Sequence, residues 1–384
     1  MRPDVIVLGL GTMGAATAYQ LAARGARVLG LDRFVPPHAR GAHAGGSRII
    51  RMAYAEGADY VPLVRRAYEL WRSVQEAAEV SLLTTTGGLN LGRPTGALVA
   101  GALASARAYG LAHEVLDAAE VRRRFPAFTP DESDVALYEE VAGLVRPELA
   151  IAAQLRLAER AGADLRYGVP VAGWQATADA VSVQTPDGPV SAGRLVICPG
   201  AWAPELLADL GVPMVVQRRV QHYWQPQGEE YAVGRFPVWM WEDAAGVTAY
   251  GLPAPDSDDP NDAVRHGVKG AFHVADDPAD PNAGAGEATP AEVATIRAWL
   301  ANRLPGIANS AWLGGKPCLY TLTPDEHFVL GRHPRYGNVS VAAGFSGHGF
   351  KFAPVVGEIL ADLALRGDTA HPIDLFNPSR FAAA

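Results

Sequence analysis

The sequence predicts an α/β protein: a Rossmann-like unit assembled from discontinuous segments, plus an antiparallel, β-rich unit. Three observations carry that expectation. A short apolar run, Val5 to Leu8, enters a glycine-rich turn and then a helix-forming stretch. The same order of strand, glycine turn and helix returns at 338–365. Between them, 214–275 is rich in β-formers and aromatics, among them Tyr223, Trp224, Trp239, Trp241 and Tyr250.

A chain of 384 residues exceeds the size at which one core keeps growing, so two joined domains are expected. The composition, 49% hydrophobic and 19% charged, is that of a globular protein. The formal charge of −8 and the absence of a basic run argue against nucleic acid or an acidic membrane as partner. Two cysteines make no disulfide framework and suit a reducing compartment. No signal-peptide pattern precedes the first strand, and no uncharged apolar run reaches the roughly 18 residues of a membrane span. A cytoplasmic enzyme or binding protein with no metal site is expected.

In "DVIVLGLGTMGAATAYQLAARGARVLGLDRF", Gly9, Gly11 and Gly14 fit G-x-G-x-x-G. The first two allow a tight turn and close approach to a pyrophosphate; the third lets the helix pack on the strand. A second strand, Val28 to Leu31, ends in Asp32, placed to accept a ribose hydroxyl. The acid favours an unphosphorylated ribose, hence NAD or FAD. The next stretch, "PPHARGAHAGGSRIIR", is too rich in Gly, Ala and His for an ordinary helix. An extended, small-residue segment suits a long flavin dinucleotide better than the alternating units of a nicotinamide domain.

Helices are expected over 59–78, 96–109 and from Pro147 to about Arg160. Asp117 with Glu120, and Thr289 with Pro290 and Glu292, read as N-terminal caps. A Pro-Asp-Gly turn at 186–188 joins two strands and leads to an apolar strand, Leu195 to Cys198. The segment 254–288 reads as exposed loops, interrupted by "VRHGVKGAFHV". There Lys269 and His273, four apart, fall on one face of a strand. The final glycine turn carries Gly347, His348, Gly349 and Lys351 ahead of a helix from about Ala353. Such a helix mouth stabilises negative charge. Cys318, in "GGKPCLYTLTPDEHF", has three readings from its residues alone: a buried apolar group, half a disulfide, or a reactive thiol.

Together these pieces resemble the monomeric sarcosine oxidase and N-methyltryptophan oxidase family, within the glycine/D-amino-acid oxidase superfamily of flavoproteins. The likeness covers nearly the whole chain. It rests on "GLGTMGAATAYQLAARG", "GSRIIRMAYAEGADYVPL", the Cys318 segment and "AAGFSGHGFKF", in the family's order. It implies a FAD-binding domain from 1–82, 145–213 and 308–384, and a substrate domain from 83–144 and 214–307. It also implies a thioether from Cys318 to FAD. Arg51 and Lys351 match the residues that hold a substrate carboxylate. His273, Tyr250 and Tyr320 match pocket residues around the amine. Lys269 matches a lysine whose charge favours electron transfer to oxygen, and Ser47 and Arg48 match positions near the flavin ring. One departure is Ala44, where the family tends to have a second histidine; it puts strict sarcosine specificity in doubt, as do Trp239 and Trp241. The implied protein is a monomer that oxidises the C–N bond of a secondary amino acid and passes the electrons to molecular oxygen. An NAD-dependent dehydrogenase, read from the first 32 residues alone, leaves Cys318 and the 338–351 turn without a role.

Overall fold

The computed structural model describes residues 2–254, 267–273 and 277–381. Parts of the expected 254–288 loops, and Val264 to His266 and Val274 of the interrupting segment, lie outside the described residues.

Strand Val5–Leu8 is wholly apolar and buried on both faces, as a central parallel strand requires. It pairs in parallel with Val28–Leu31 on one side and Arg194–Ile197 on the other. Asp164–Arg166 extends the sheet beyond Val28–Leu31. Val339–Ala343 joins Arg194–Ile197 in parallel, and Val329–Arg332 closes that side antiparallel. This six-stranded sheet therefore draws strands from both ends of the chain. Helix Thr12–Ala23 packs against Pro147–Arg160 and Ala353–Arg366. Gly357 allows the last approach, since a Cβ there would stand 2.6 Å from the Ala16 backbone.

The second large sheet has eight strands. Its order runs Ala311–Leu322, Val215–Gln225, Val268–Phe272, Thr248–Leu252, Val238–Glu242, Gly88–Gly92, Val135–Glu139 and Glu114–Asp117. All pairs are antiparallel except Val238–Glu242 with Gly88–Gly92. The α/β class with its parallel and antiparallel sheets is as the sequence predicts.

Local signals explain the helices. Helix Val61–Ala78 opens with a proline and buries Leu63, Val64, Ala67, Tyr68, Leu70, Trp71 and Val74, the three-and-four spacing of an amphipathic face. The Asp117 side chain accepts the Glu120 N–H, and Thr289 and Glu292 form a complete capping box. The expected hairpin forms between Val181–Thr185 and Gly188–Ala192. Strand Val268–Phe272 ends one residue before His273.

Trp239 and Trp241 require a correction. They alternate with Met240 on their strand, so they point to the opposite face, into a core with Phe128, Phe236 and Trp299. Met240 alone of the three borders the cavity described next, and the two tryptophans say nothing about specificity.

Candidate active site

A cavity of about 930 Å³ runs between the two large sheets. At one end lie Gly9, Gly11 and the Asp32 carboxylate; at the other, Tyr250, His273 and Tyr320 from the antiparallel sheet, with Arg51 and Lys351.

The first glycine turn does what its spacing implies. A Cβ on Gly14 would stand 1.7 Å from the Gly9 carbonyl oxygen, so helix and strand can meet only at glycine. A Cβ on Gly11 would meet nothing within 4 Å, and Gly11 borders the cavity. That open approach is what a pyrophosphate needs. Asp32 is held by the Leu10 and Phe34 N–H groups at 2.7 and 2.8 Å. On the same wall His43 is buried, and its Nε2 finds no partner among the described residues. Burial, foremost, and His38 depress its pKa to about 4, leaving a neutral ring with a free nitrogen for a ligand. These residues fit a dinucleotide.

The C-terminal turn forms the opposite wall. Gly347 has φ +82° and lies against the Tyr320 ring, leaving no room for a side chain. His348 Nε2 meets the Glu326 carbonyl at 3.1 Å and therefore carries the proton. Its Nδ1 then accepts from the Tyr54 hydroxyl at 2.7 Å. Lys351 donates to the His348 carbonyl at 2.9 Å and to the Tyr54 oxygen at 3.3 Å. The Trp71 indole N–H in turn fixes the Lys351 carbonyl at 2.8 Å.

Arg51 is buried beside this group. Its guanidinium donates to the Ala53 carbonyl at 2.8 Å and to both Glu56 oxygens at 3.0 and 2.9 Å. Burial raises the Glu56 pKa, but Arg51 foremost, with His348 and Lys351, outweighs it and brings it to about 2. Burial, and next Arg51, push Lys351 down to about 7. Arg51 and Lys351 thus lie around the Glu56 carboxylate, with Glu139 a second acid whose charge acts on Arg51. Glu139 caps the loop from behind through the Met52 and Ala53 N–H groups at 3.2 and 2.7 Å. Burial holds its pKa above the usual value.

His273 sits between the Tyr250 and Tyr320 rings, with centroids 6.3 and 6.1 Å away. Burial drops its pKa to about 4, so the ring is neutral near pH 7 and able to accept a hydrogen bond. Arg48 borders the cavity and binds the Gln221 side chain and the Ser47, Ala42 and Ala44 carbonyls. Ala44 is buried, and its carbonyl also accepts from Gln221.

Lys269, Ser47 and Cys318 are buried and are not on the cavity wall. Lys269 binds the loop that carries Ser47. Cys318 and Cys198 are separate free thiols. Burial raises the Cys318 pKa, against the pull of Arg48, Lys269 and Arg219. Sequence reasoning missed Glu56, Glu139 and Glu148. Glu56 had a signal, an acid five residues after Arg51; the other two pair across long stretches of chain. Among the described residues no cluster of His, Cys, Asp or Glu could hold a metal, and no helix is long and apolar enough to cross a membrane.

A glycine turn at a parallel strand, an acid at the next strand end and a long two-walled cavity define a dinucleotide-dependent oxidoreductase. The chain belongs to the FAD dependent oxidoreductase family, whose pattern matches residues 4–363. It is 49% identical over 387 residues to monomeric sarcosine oxidase of Streptomyces avermitilis, covering 99% of this chain and 98% of that protein. To N-methyl-L-tryptophan oxidase of Salmonella agona it is 36% identical over 382 residues, with both chains fully covered. Among solved structures it is similar to the open form of NikD, an unusual amino acid oxidase essential for nikkomycin biosynthesis. There the TM-score is 0.84 at 29% identity, covering 98% of this chain and 97% of that one.

Proposed function

We propose that this protein oxidises the C–N bond of a secondary amino acid, N-methyl or cyclic, to an imine that water hydrolyses, with oxygen reduced to hydrogen peroxide. The observation that carries this reading is the convergence of two buried basic side chains, Arg51 and Lys351, at the aromatic end of the cavity. The Gly11 turn, Asp32 and the Gly347 turn would hold FAD, which when bound would supply the two-electron acceptor for the C–N bond. Arg51 and Lys351 hold the substrate carboxylate, each charged hydrogen bond contributing about 1.5–3 kcal/mol. Neutral His273 accepts the amine N–H, and Tyr250 and Tyr320 enclose it. Lys269 in its protonated form contributes positive charge that favours electron transfer to oxygen.

The likeness to the sarcosine and N-methyltryptophan oxidases supports this choice of substrate class. The proposal includes a thioether between Cys318 and FAD; burial raises the thiol's pKa, and Arg48, Lys269 and Arg219 only partly offset it, so the resemblance is what supports the link. It also includes the division into a FAD part (1–82, 145–213, 308–384) and a substrate part (83–144, 214–307), and action as a cytoplasmic monomer. A second reading, a biosynthetic oxidase of a cyclic imino acid, draws on the likeness to NikD. Peroxide release from sarcosine, N-methyltryptophan, pipecolate and proline tests both readings. Peroxide from any of the four supports the first reading, peroxide from pipecolate or proline alone favours the second, and none from any of the four overturns the assignment.

A further inference from the structure

The loop from Gly45 to Arg48 is gripped from two sides by groups of opposite charge. On one side stands Glu148, in the first turn of helix Pro147–Arg160. Its carboxylate accepts the Gly45 N–H at 2.7 Å and the Gly46 N–H at 3.1 and 3.2 Å. On the other side Lys269, from strand Val268–Phe272, donates to the carbonyl oxygens of Gly45 and Ser47, both at 2.7 Å. The Tyr223 hydroxyl adds a third donor, also to Gly45, at 2.7 Å.

The Gly45 carbonyl and the Gly46 N–H belong to one peptide unit. Its N–H end meets a carboxylate and its C=O end an ammonium, so the peptide dipole lies favourably between two charges. Backbone φ values of +121° and +76° at Gly45 and Gly46 are ones only glycine adopts freely, and in this conformation their successive N–H groups meet the one carboxylate. A Cβ at Gly45 would run into Gln221 and Tyr223, which keeps the position glycine. Among the described residues no carboxylate touches Lys269 directly, although it is almost fully buried. A buried ammonium without a counter-charge loses its proton readily.

We propose that Glu148 is the counter-ion of Lys269, acting through the Gly45–Gly46 peptide, and is thereby a positioning residue for that ammonium. Burial, and next Arg48, press the Lys269 pKa well below its ordinary value, and the negative charge on Glu148 opposes them. Burial would raise the Glu148 pKa, but the two glycine N–H groups and Arg48 outweigh it and hold it below the usual range. Only the kinetic consequence rests on the oxygen role given to Lys269 above; the pairing itself does not.

A double-mutant cycle on the FAD-loaded protein tests this, using Glu148→Gln, Lys269→Met and the double variant. Thermal melting is the first readout, and stopped-flow separation of flavin reduction from reoxidation is the second. Each single variant should melt lower than wild type, and the double variant no lower than the worse single. Glu148→Gln should slow reoxidation by at least about fivefold and reduction by less than about twofold, adding nothing to Lys269→Met. Losses that add in both readouts overturn the proposal. Coupled melting, with Lys269→Met leaving reoxidation untouched, supports the pairing and overturns the oxygen role. Additive melting, with Lys269→Met slowing reoxidation, does the reverse. If Glu148→Gln fails to accumulate as folded protein, the double variant, which leaves no orphan charge, should recover it; an equally poor double variant overturns the pairing.

Discussion

Lys351→Met tests the carboxylate clamp while keeping most of the side chain's volume. Wild-type Lys351 spends two of its donors on the His348 carbonyl and the Tyr54 oxygen, so one remains for a ligand. A carboxylate held by that donor gains a charged hydrogen bond of about 1.5–3 kcal/mol, or roughly 10- to 150-fold in Kd while the lysine is protonated. The pKa of about 7 adds a second signature. In the free protein Lys351 loses its proton as the pH rises through that value, whereas a bound carboxylate favours the protonated form. Wild-type affinity should therefore fall by up to about tenfold per pH unit above neutrality, until the raised pKa of the complex is reached. The variant has no proton to lose there and should bind weakly with a flat profile. Titration of the holoenzyme's flavin absorbance with methylthioacetate, between about pH 6 and 8.5, measures both effects. Equal affinities below neutrality, or parallel slopes above it, would refute the clamp.

Three further outcomes follow from the geometry. Gly14→Ala places a methyl 1.7 Å from the Gly9 oxygen and should cost more than about 3 kcal/mol, read as a lowered Tm or loss of folded protein. Gly11→Ala meets open space, so its apoprotein should melt like wild type within about 0.5 kcal/mol while its loading with FAD falls. Acid-precipitated wild-type protein should keep its yellow colour in the pellet and Cys318→Ser should lose it; a colourless wild-type pellet removes the thioether.

The dinucleotide turn was legible because its glycines answer to local sterics, which a sequence states directly. The caps at Asp117 and Thr289 were legible for the same reason. Charge compensation was not. Arg51 and Lys351 could be named, but their balance with Glu56 depends on a fold that brings residue 351 beside residue 51. Glu148 reads in sequence as an ordinary first-turn acid of a helix; its hold on Gly45 appears only when the loop folds back over it. Alternation along 238–242 was readable too, but not which face turns inward. Trp239 and Trp241 turn away from the cavity, into the buried aromatic cluster with Phe128 and Trp299.

The strand order of the parallel sheet bears on how the protein is made. Val5–Leu8 leaves the ribosome early, yet its neighbour Arg194–Ile197 and then Val339–Ala343 come far later. At about 5–20 residues per second, the interval between the first and last of these is on the order of 20–60 s. Through that time the nascent sheet keeps one edge unpaired, first that of Val5–Leu8 and then that of Arg194–Ile197, an exposure that invites misassociation. Helix Ala353–Arg366, which packs on the helix of the first glycine turn, also arrives only at the end of that interval. Cofactor capture therefore belongs after synthesis, and yield in a host should depend on holdase capacity as much as on flavin supply.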